Sequence, residues 1–299
     1  IKSKDHIQKI TIIGMGLIGG SLGLALKNSS FKGCIYGVDK ENIIKKALNK
    51  AAIDKGSSVY PIAVENADII IVATPVKKIP IVLHKIRPFL SKGMLVTDTG
   101  STKKDIMIRA KTILPDDVIF IGGHPMAGSE KNGIDFAKDY LFKSMPYLVI
   151  SENCNDMLSL GKMSQLIHWI GAYEILLNAQ QHDKIVAIIS HIPQLLAILL
   201  TNMLGQAVLE EGNEKLYQVT GNAFNDITRL ASSPFGMWKD IYQSNQNFSV
   251  QIIDQLIVAL GKSRNMISKN PADLKADFDT ARLIRENLLS IKNYNIREK

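Results

Sequence analysis

The chain has 299 residues, 46% of them hydrophobic, which allows one large or two ordinary domains and excludes wholesale disorder. Two cysteines, Cys34 and Cys154, exclude a disulfide framework; neither has metal-ligand spacing around it, so no metal site is expected. The net charge of +8 lies mostly in residues 1–177, but the lysines form no basic run with interleaved aromatics. That excludes a nucleic-acid surface and suits an anionic cofactor and substrate.

In chain order, an apolar strand over 9–13 runs into the turn Gly14-Met15-Gly16-Leu17-Ile18-Gly19-Gly20 and a helical pattern over 17–28. A strand over 33–38 then ends at Asp39, followed by a helix over 40–50. Each glycine of this strand–turn–helix has a physical task. Gly14 permits the tight turn, Gly16 lets backbone approach a pyrophosphate, and Gly19 lets helix pack on strand. Leu17 and Ile18 open a helix whose free N–H groups bind phosphate. Asp39, twenty residues beyond Gly19 in sequence, is placed to bind a ribose 2′-hydroxyl and to repel a 2′-phosphate, so NAD is expected over NADP.

Further strands are expected over 69–73, 94–97, 118–121, 147–150 and 173–177, with a helix over 157–170. Alternating strands and helices predict a doubly wound, mostly parallel α/β sheet of the Rossmann type. Such sheets bind ligands beyond the carboxyl ends of their strands. Three strand ends carry residues of interest there: Thr74 and Pro75 lining the cofactor, Ser101 within Asp98–Lys103, and His124 on a loop within Gly122–Gly128. Ser101 also suits a helix cap. An imidazole between glycines and a proline on a ligand-facing loop reads as catalytic.

After residue 177 the strand signal fades, and helical segments are expected over 179–205, 234–268 and 271–292. Ser233-Pro234 and Asn270-Pro271 read as helix starts, and Pro193 is expected to kink or break the first segment. The domain reading is therefore 1–177 for the dinucleotide and 178–299 as an all-α domain. Residues 185–209 carry no charge and are long enough to span a bilayer. However, Ser190, His191, Pro193, Gln194, Asn202 and Gln206 are costly in lipid, so a buried helix pair and no membrane are expected. Apolar helices of this length predict pairing with a second copy. The N-terminus shows no apolar signal region. We expect a cytoplasmic protein with neither a leader nor an appended regulatory or mutase domain.

The motifs together resemble the prephenate/arogenate (cyclohexadienyl) dehydrogenase family. The matching pieces are Gly14–Ser21, Asp98–Lys103, GGHPMAGSEKNG over 122–133, His182-Asp183, Ser190-His191-Ile192-Pro193, and FNDITRLASSPFGMW over 224–238. The resemblance implies a nucleotide-binding domain, a helical dimer-forming domain, and NAD-dependent oxidative decarboxylation of prephenate, or of arogenate, in tyrosine biosynthesis. It implies that His124 takes the proton of the substrate C4 hydroxyl, that Ser101 orients hydroxyl and imidazole, and that Arg229 binds a carboxylate. Glu130 and Lys131 fall in a loop of gating and polar substrate contacts, and His191 and Trp238 form the helical wall. Gln194 departs from relatives that often carry a second histidine there, which bears on recognition of the substrate side chain or on inhibition by tyrosine.

Two alternatives remain at this level. Hydroxyacid dehydrogenases and imine reductases share the Rossmann-plus-helical plan but use a lysine on the helical domain, or no histidine. A non-catalytic NAD-sensing regulator keeps the glycine turn without needing His124 and Arg229, and carries a DNA-reading element that this sequence lacks.

Overall fold

The computed structural model describes residues 7–129, 131–151 and 156–297. Contacts divide the chain into two compact units, Ile1–Gln246 and Asn247–Lys299.

The first unit is built on one sheet of eight strands: β1 Lys9–Ile13, β2 Cys34–Val38, β3 Lys55–Ser57, β4 Ile69–Val72, β5 Leu95–Asp98, β6 Ile119–Pro125, β7 Pro146–Ile150 and β8 Tyr173–Leu176. Their spatial order is β3-β2-β1-β4-β5-β6-β7-β8, and every pairing is parallel except β6–β7. The order reverses between β1 and β4, which is where such sheets open a ligand crevice. Alternate side chains along each strand feed opposite faces. Ile10, Ile12, Ile35, Ile69 and Ile71 enter one core, while Ile13, Val38, Ile70, Val72 and Val96 enter the other. Burial on both faces is why β4 reads as an unbroken apolar run.

The helices around it are α1 Leu17–Lys27, α2 Glu41–Asn49, α3 Tyr60–Val64, α4 Ile79–Ile86, α5 Lys104–Ile113 and α6 Met157–Trp169. Sequence reasoning missed β3. Lys55-Gly56-Ser57 has no apolar alternation, and only its register against Tyr36–Val38 makes it a strand. It also misplaced His124. The residue lies on β6, which changes partner midway: Ile119–Ile121 pair with β5, and Gly122–Pro125 pair with Tyr147–Ile150 of β7. A glycine is required at 123, where a Cβ would lie 2.6 Å from the Asp98 carbonyl and 2.8 Å from the Tyr147 hydroxyl. The glycines that read as a loop are thus what lets three strands close up at His124.

The remainder of this unit is helical: α7 Ala179–Val186, α8 Ile192–Glu211, α9 Asn222–Thr228 and α10 Phe235–Ser244. Asn178 and Gln181 form a reciprocal capping box that starts α7, and Gly212, left-handed at φ 61°, ends α8. The break expected at Pro193 is a π turn, Ala187–His191, immediately before it. Pro193 itself sits in the first turn of α8, where its missing N–H costs least. The run is therefore one helix, Ala179–Glu211, not a buried pair, and by length and composition it could cross a membrane. Ile188, Ile189, Leu199, Leu200, Met203 and Leu209 remain exposed on the single chain. The expected helix over 234–268 breaks at Asn245, whose side chain donates to the Asp183 carbonyl (2.7 Å) instead of continuing the helix exposed to solvent.

The second unit carries α11 Gln246–Lys269 from its second residue onward and α12 Lys275–Arg297, joined by the turn Pro271–Leu274. Asn270 caps that turn through the Ala272 N–H, with Pro271 at its first position, as its sequence suggests.

Candidate active site

The first part of the site forms where β1 meets α1. Gly14 is left-handed (φ 98°), and a Cβ there would lie 2.6 Å from the Ala73 carbonyl at the end of β4. A Cβ at Gly19 would lie 1.9 Å from the Gly14 carbonyl, so α1 sits hard against the turn. At Gly16, which caps α1 with no side-chain acceptor, a Cβ would meet nothing within 4 Å. Leu17 and Ile18 begin the helix just beyond it. The helix therefore presents its first N–H groups to an open cradle, the environment a phosphate favours. Asp39, just past β2, accepts from the Met15 N–H (2.8 Å) and the Lys40 N–H (2.7 Å), which fixes its carboxylate beside the turn. Thr74 borders the cradle, with its methyl 3.1 Å from the Gly14 Cβ position and its buried hydroxyl without a partner. Pro75 caps the turn Val76–Lys78.

The second part lies two strands away. Lys103 is fully buried and forms an ion pair with Asp98 at the end of β5, and its ammonium also donates to the Gly123 carbonyl (2.8 Å). Asp98 further accepts from the N–H of Gly100 (2.8 Å) and of Gly123 (3.1 Å). This pair locks the turn holding Gly100, Ser101 and Thr102 to the bend of β6. Burial pulls the Lys103 ammonium below its ordinary range, and Asp98 and Asp183 pull it back up.

His124, partly buried on that bend, has its Nδ1 2.9 Å from His182 Nε2. His182 Nδ1 lies 2.7 Å from the Asp183 carboxylate. Asp183 also accepts from the N–H groups of Lys103 (2.7 Å) and Lys104 (2.9 Å), tying α7 to the start of α5. Burial first, then the neighbouring His182, Lys103 and His191, push the His124 imidazole well below its usual pKa. Burial also lowers His182, against the pull of Asp183.

A third group forms the helical wall. His191, Trp238 and Tyr242 make a ring cluster with centroids 5.6–6.1 Å apart. Tyr242 donates to the His191 carbonyl (3.0 Å), and Asn245 reaches both Asp183 and His191 Nδ1 (3.4 Å). Burial pulls His191 down to about 4 and pushes Tyr242 up to about 12. The Trp238 indole N–H is buried and unpartnered. Gln194, 1% exposed, donates to the Leu230 carbonyl (3.3 Å) and so ties α8 to the turn Arg229–Ser232 that Arg229 heads.

Of the residues singled out from sequence, those of the cradle and those of the wall gather as two groups. Arg229 is exposed. Lys131 is also exposed, with its ammonium over the Phe136 ring (5.1 Å). Glu130 lies outside the described residues. Sequence reasoning gave no role to Lys103, His182, Asp183, Tyr242 or Asn245. The adjacent His182-Asp183 pair was visible, but only folding carries it to His124.

A dinucleotide cradle and an uncharged imidazole along the carboxyl edge of one doubly wound sheet define a Rossmann-type oxidoreductase. Comparison with known proteins narrows the class. Residues 22–176 match the family model described as prephenate dehydrogenase, nucleotide-binding domain, and residues 178–281 match prephenate dehydrogenase, dimerization domain. A prephenate dehydrogenase of Bacillus subtilis is 32% identical, over 93% of this chain and 76% of that protein. A cyclohexadienyl dehydrogenase of Zymomonas mobilis is 29% identical, over 89% and 90%. The structure of prephenate dehydrogenase from A. aeolicus, in complex with hydroxyphenyl propionate and NAD+, superposes with a TM-score of 0.85 at 26% identity, covering 96% of this chain and all of that one. Arogenate dehydrogenase from Synechocystis gives 0.80 at 25%, covering 94% and 100%. The chain belongs to the prephenate dehydrogenase family.

Proposed function

We propose that the chain catalyses the NAD-dependent oxidative decarboxylation of prephenate to 4-hydroxyphenylpyruvate, a step of tyrosine biosynthesis in the cytoplasm. The observation that carries this reading is an imidazole held uncharged at the carboxyl edge of the sheet that carries the dinucleotide cradle. Gly14, Gly16, Leu17, Ile18, Gly19, Asp39, Thr74 and Pro75 hold the cofactor, which supplies the hydride acceptor. His124 takes the proton of the C4 hydroxyl as hydride leaves C4, and Ser101 orients that hydroxyl. The bond from the ring to its carboxylate then breaks and carbon dioxide departs. The electron pair makes the ring aromatic, and the resulting phenolate recovers the proton from His124. Aromatisation drives the step, so the protein supplies positioning and a base more than acid help.

Arg229 offers a planar fork to a substrate carboxylate. His191, Gln194 and Trp238 form the wall, and the family resemblance assigns Glu130 and Lys131 polar contacts with the substrate. Tyrosine, which keeps a ring and a carboxylate, competes there. In this division of labour residues 1–177 bind NAD, and residues 178–299 complete the substrate site and pair two copies. The exposed apolar side chains of Ala179–Glu211 support that pairing, because patches of this kind mark interfaces. Light scattering is expected to return a homodimer at micromolar concentration; a stable monomer would refute it.

Steady-state assays with NAD and NADP, each with prephenate and with arogenate, test the reading of cofactor and substrate. The carboxylate of Asp39 predicts a higher kcat/KM for NAD. Equal or better use of NADP would overturn its assignment, and a preference for arogenate would move the reaction to the amino-acid substrate.

A further inference from the structure

We propose that His182 and Asp183 are positioning residues that fix the tautomer of His124, so that its Nε2 lone pair faces the substrate. The inference rests on His124 being the base.

An ionised carboxylate only accepts hydrogen bonds. Asp183 accepts from the N–H groups of Lys103 and Lys104 at the start of α5, which holds it still. Its Oδ1 also lies 2.7 Å from His182 Nδ1, so that nitrogen carries the proton. A neutral imidazole protonated on Nδ1 has its lone pair on Nε2. His182 Nε2 lies 2.9 Å from His124 Nδ1, and two lone pairs do not face each other at that distance. His124 therefore donates from Nδ1 and keeps Nε2 unprotonated. With the order reversed, His124 would carry its proton on Nε2 and could not act as a base.

The charged groups around the pair suit this order. Asp98 and Lys103 act on His182 from β5 and the turn after it and Asp183 from α7, while Lys103 and His191, the latter from the π turn, act on His124. Asp183 is the acceptor at the far end of the chain, so the donors run from His124 through His182 to the carboxylate. At rest, burial keeps both histidines uncharged. If His182 were protonated it would donate from both nitrogens, and the order would be lost.

Two variants of the whole chain test this. His182→Leu removes the acceptor that faces His124 Nδ1. His182→Gln can place an amide oxygen there. His182→Leu is expected to lose kcat by about 10²-fold or more, toward the range of a lost general base, with the KM for NAD within about threefold of the parent. His182→Gln is expected to recover at least about tenfold of that loss, since it keeps the hydrogen bond that orients the ring. Equal losses in the two variants, or turnover by His182→Leu within about threefold of the parent, would overturn the proposal, because tautomer control belongs within the general-base range. Should His182→Leu not fold, nitrogen NMR of histidine-labelled parent enzyme decides. His124 protonated on Nδ1 and bare at Nε2 is expected; a proton on Nε2 overturns the proposal. The NMR result does not depend on turnover. A fully active His124→Asn variant would instead remove the base role and leave the tautomer assignment standing.

Discussion

His124→Asn is expected to bind NAD as the parent does and to lose about 10²–10⁴-fold in kcat, the usual contribution of a general base. The amide fills similar space on β6 but cannot take up a proton at working pH. Nothing in the cradle from Gly14 to Gly19 touches the change, so the KM for NAD should hold. The pH profile gives a second, independent reading. Burial, His182, Lys103 and His191 all favour the uncharged imidazole, so the folded pKa lies well below the ordinary value of 6.5. The imidazole is therefore uncharged throughout neutral pH, and if His124 is the base, turnover by the parent should fall only on acidification well below 6.5. That acid limb should vanish in the variant, whose residual rate no longer depends on protonating residue 124. If His124→Asn turned over within about threefold of the parent, far short of the general-base range, the histidine would be a structural residue.

The second large effect separates two glycines that look alike in sequence. At Gly16 the structure leaves open space, so Gly16→Ala should fold with an unchanged Tm, while its methyl group enters the volume over the start of α1. The phosphates then lose close contact with backbone N–H groups, and the Kd for NAD should rise by at least about tenfold, the cost of one or two lost charge-assisted hydrogen bonds. At Gly19 the added Cβ meets the Gly14 carbonyl at 1.9 Å, a backbone atom that cannot rotate away. Gly19→Ala should therefore cost at least roughly 1–3 kcal/mol of stability, as overpacking does, and show first as a lowered Tm. Calorimetric binding and thermal melts on both variants check the contrast. A destabilised Gly16→Ala that binds NAD normally would contradict it.

Local chemistry explains how much was readable beforehand. The strands of the central sheet were legible because burial on both faces demands short apolar runs, as in Ile69–Val72. The cradle was legible because its glycines answer to backbone geometry within one turn, and Gly14 and Gly19 are spaced by that geometry alone. The edge strand Lys55–Ser57 was not, because its pairing is set by a neighbour and not by its own side chains. His124 was found but given a loop, because two glycines and a proline usually signal a turn; here they allow β6 to pass within contact of Asp98 and Tyr147. The relay behind it was hidden for a different reason. His182 and Asp183 lie 58 and 59 positions from His124 along the chain, and only the docking of α7 on α5 brings them to it. Separations of 62 and 54 positions likewise hid Asn245, which breaks a helix to reach Asp183 and His191.

The most direct test of the whole account is to follow NADH, carbon dioxide and the aromatic product together in one reaction of the purified chain with prephenate and NAD. Hydride transfer coupled to loss of the ring carboxylate predicts that all three form in equal amounts and at one rate. NADH formed without carbon dioxide, or no NADH formed from either prephenate or arogenate, would contradict it.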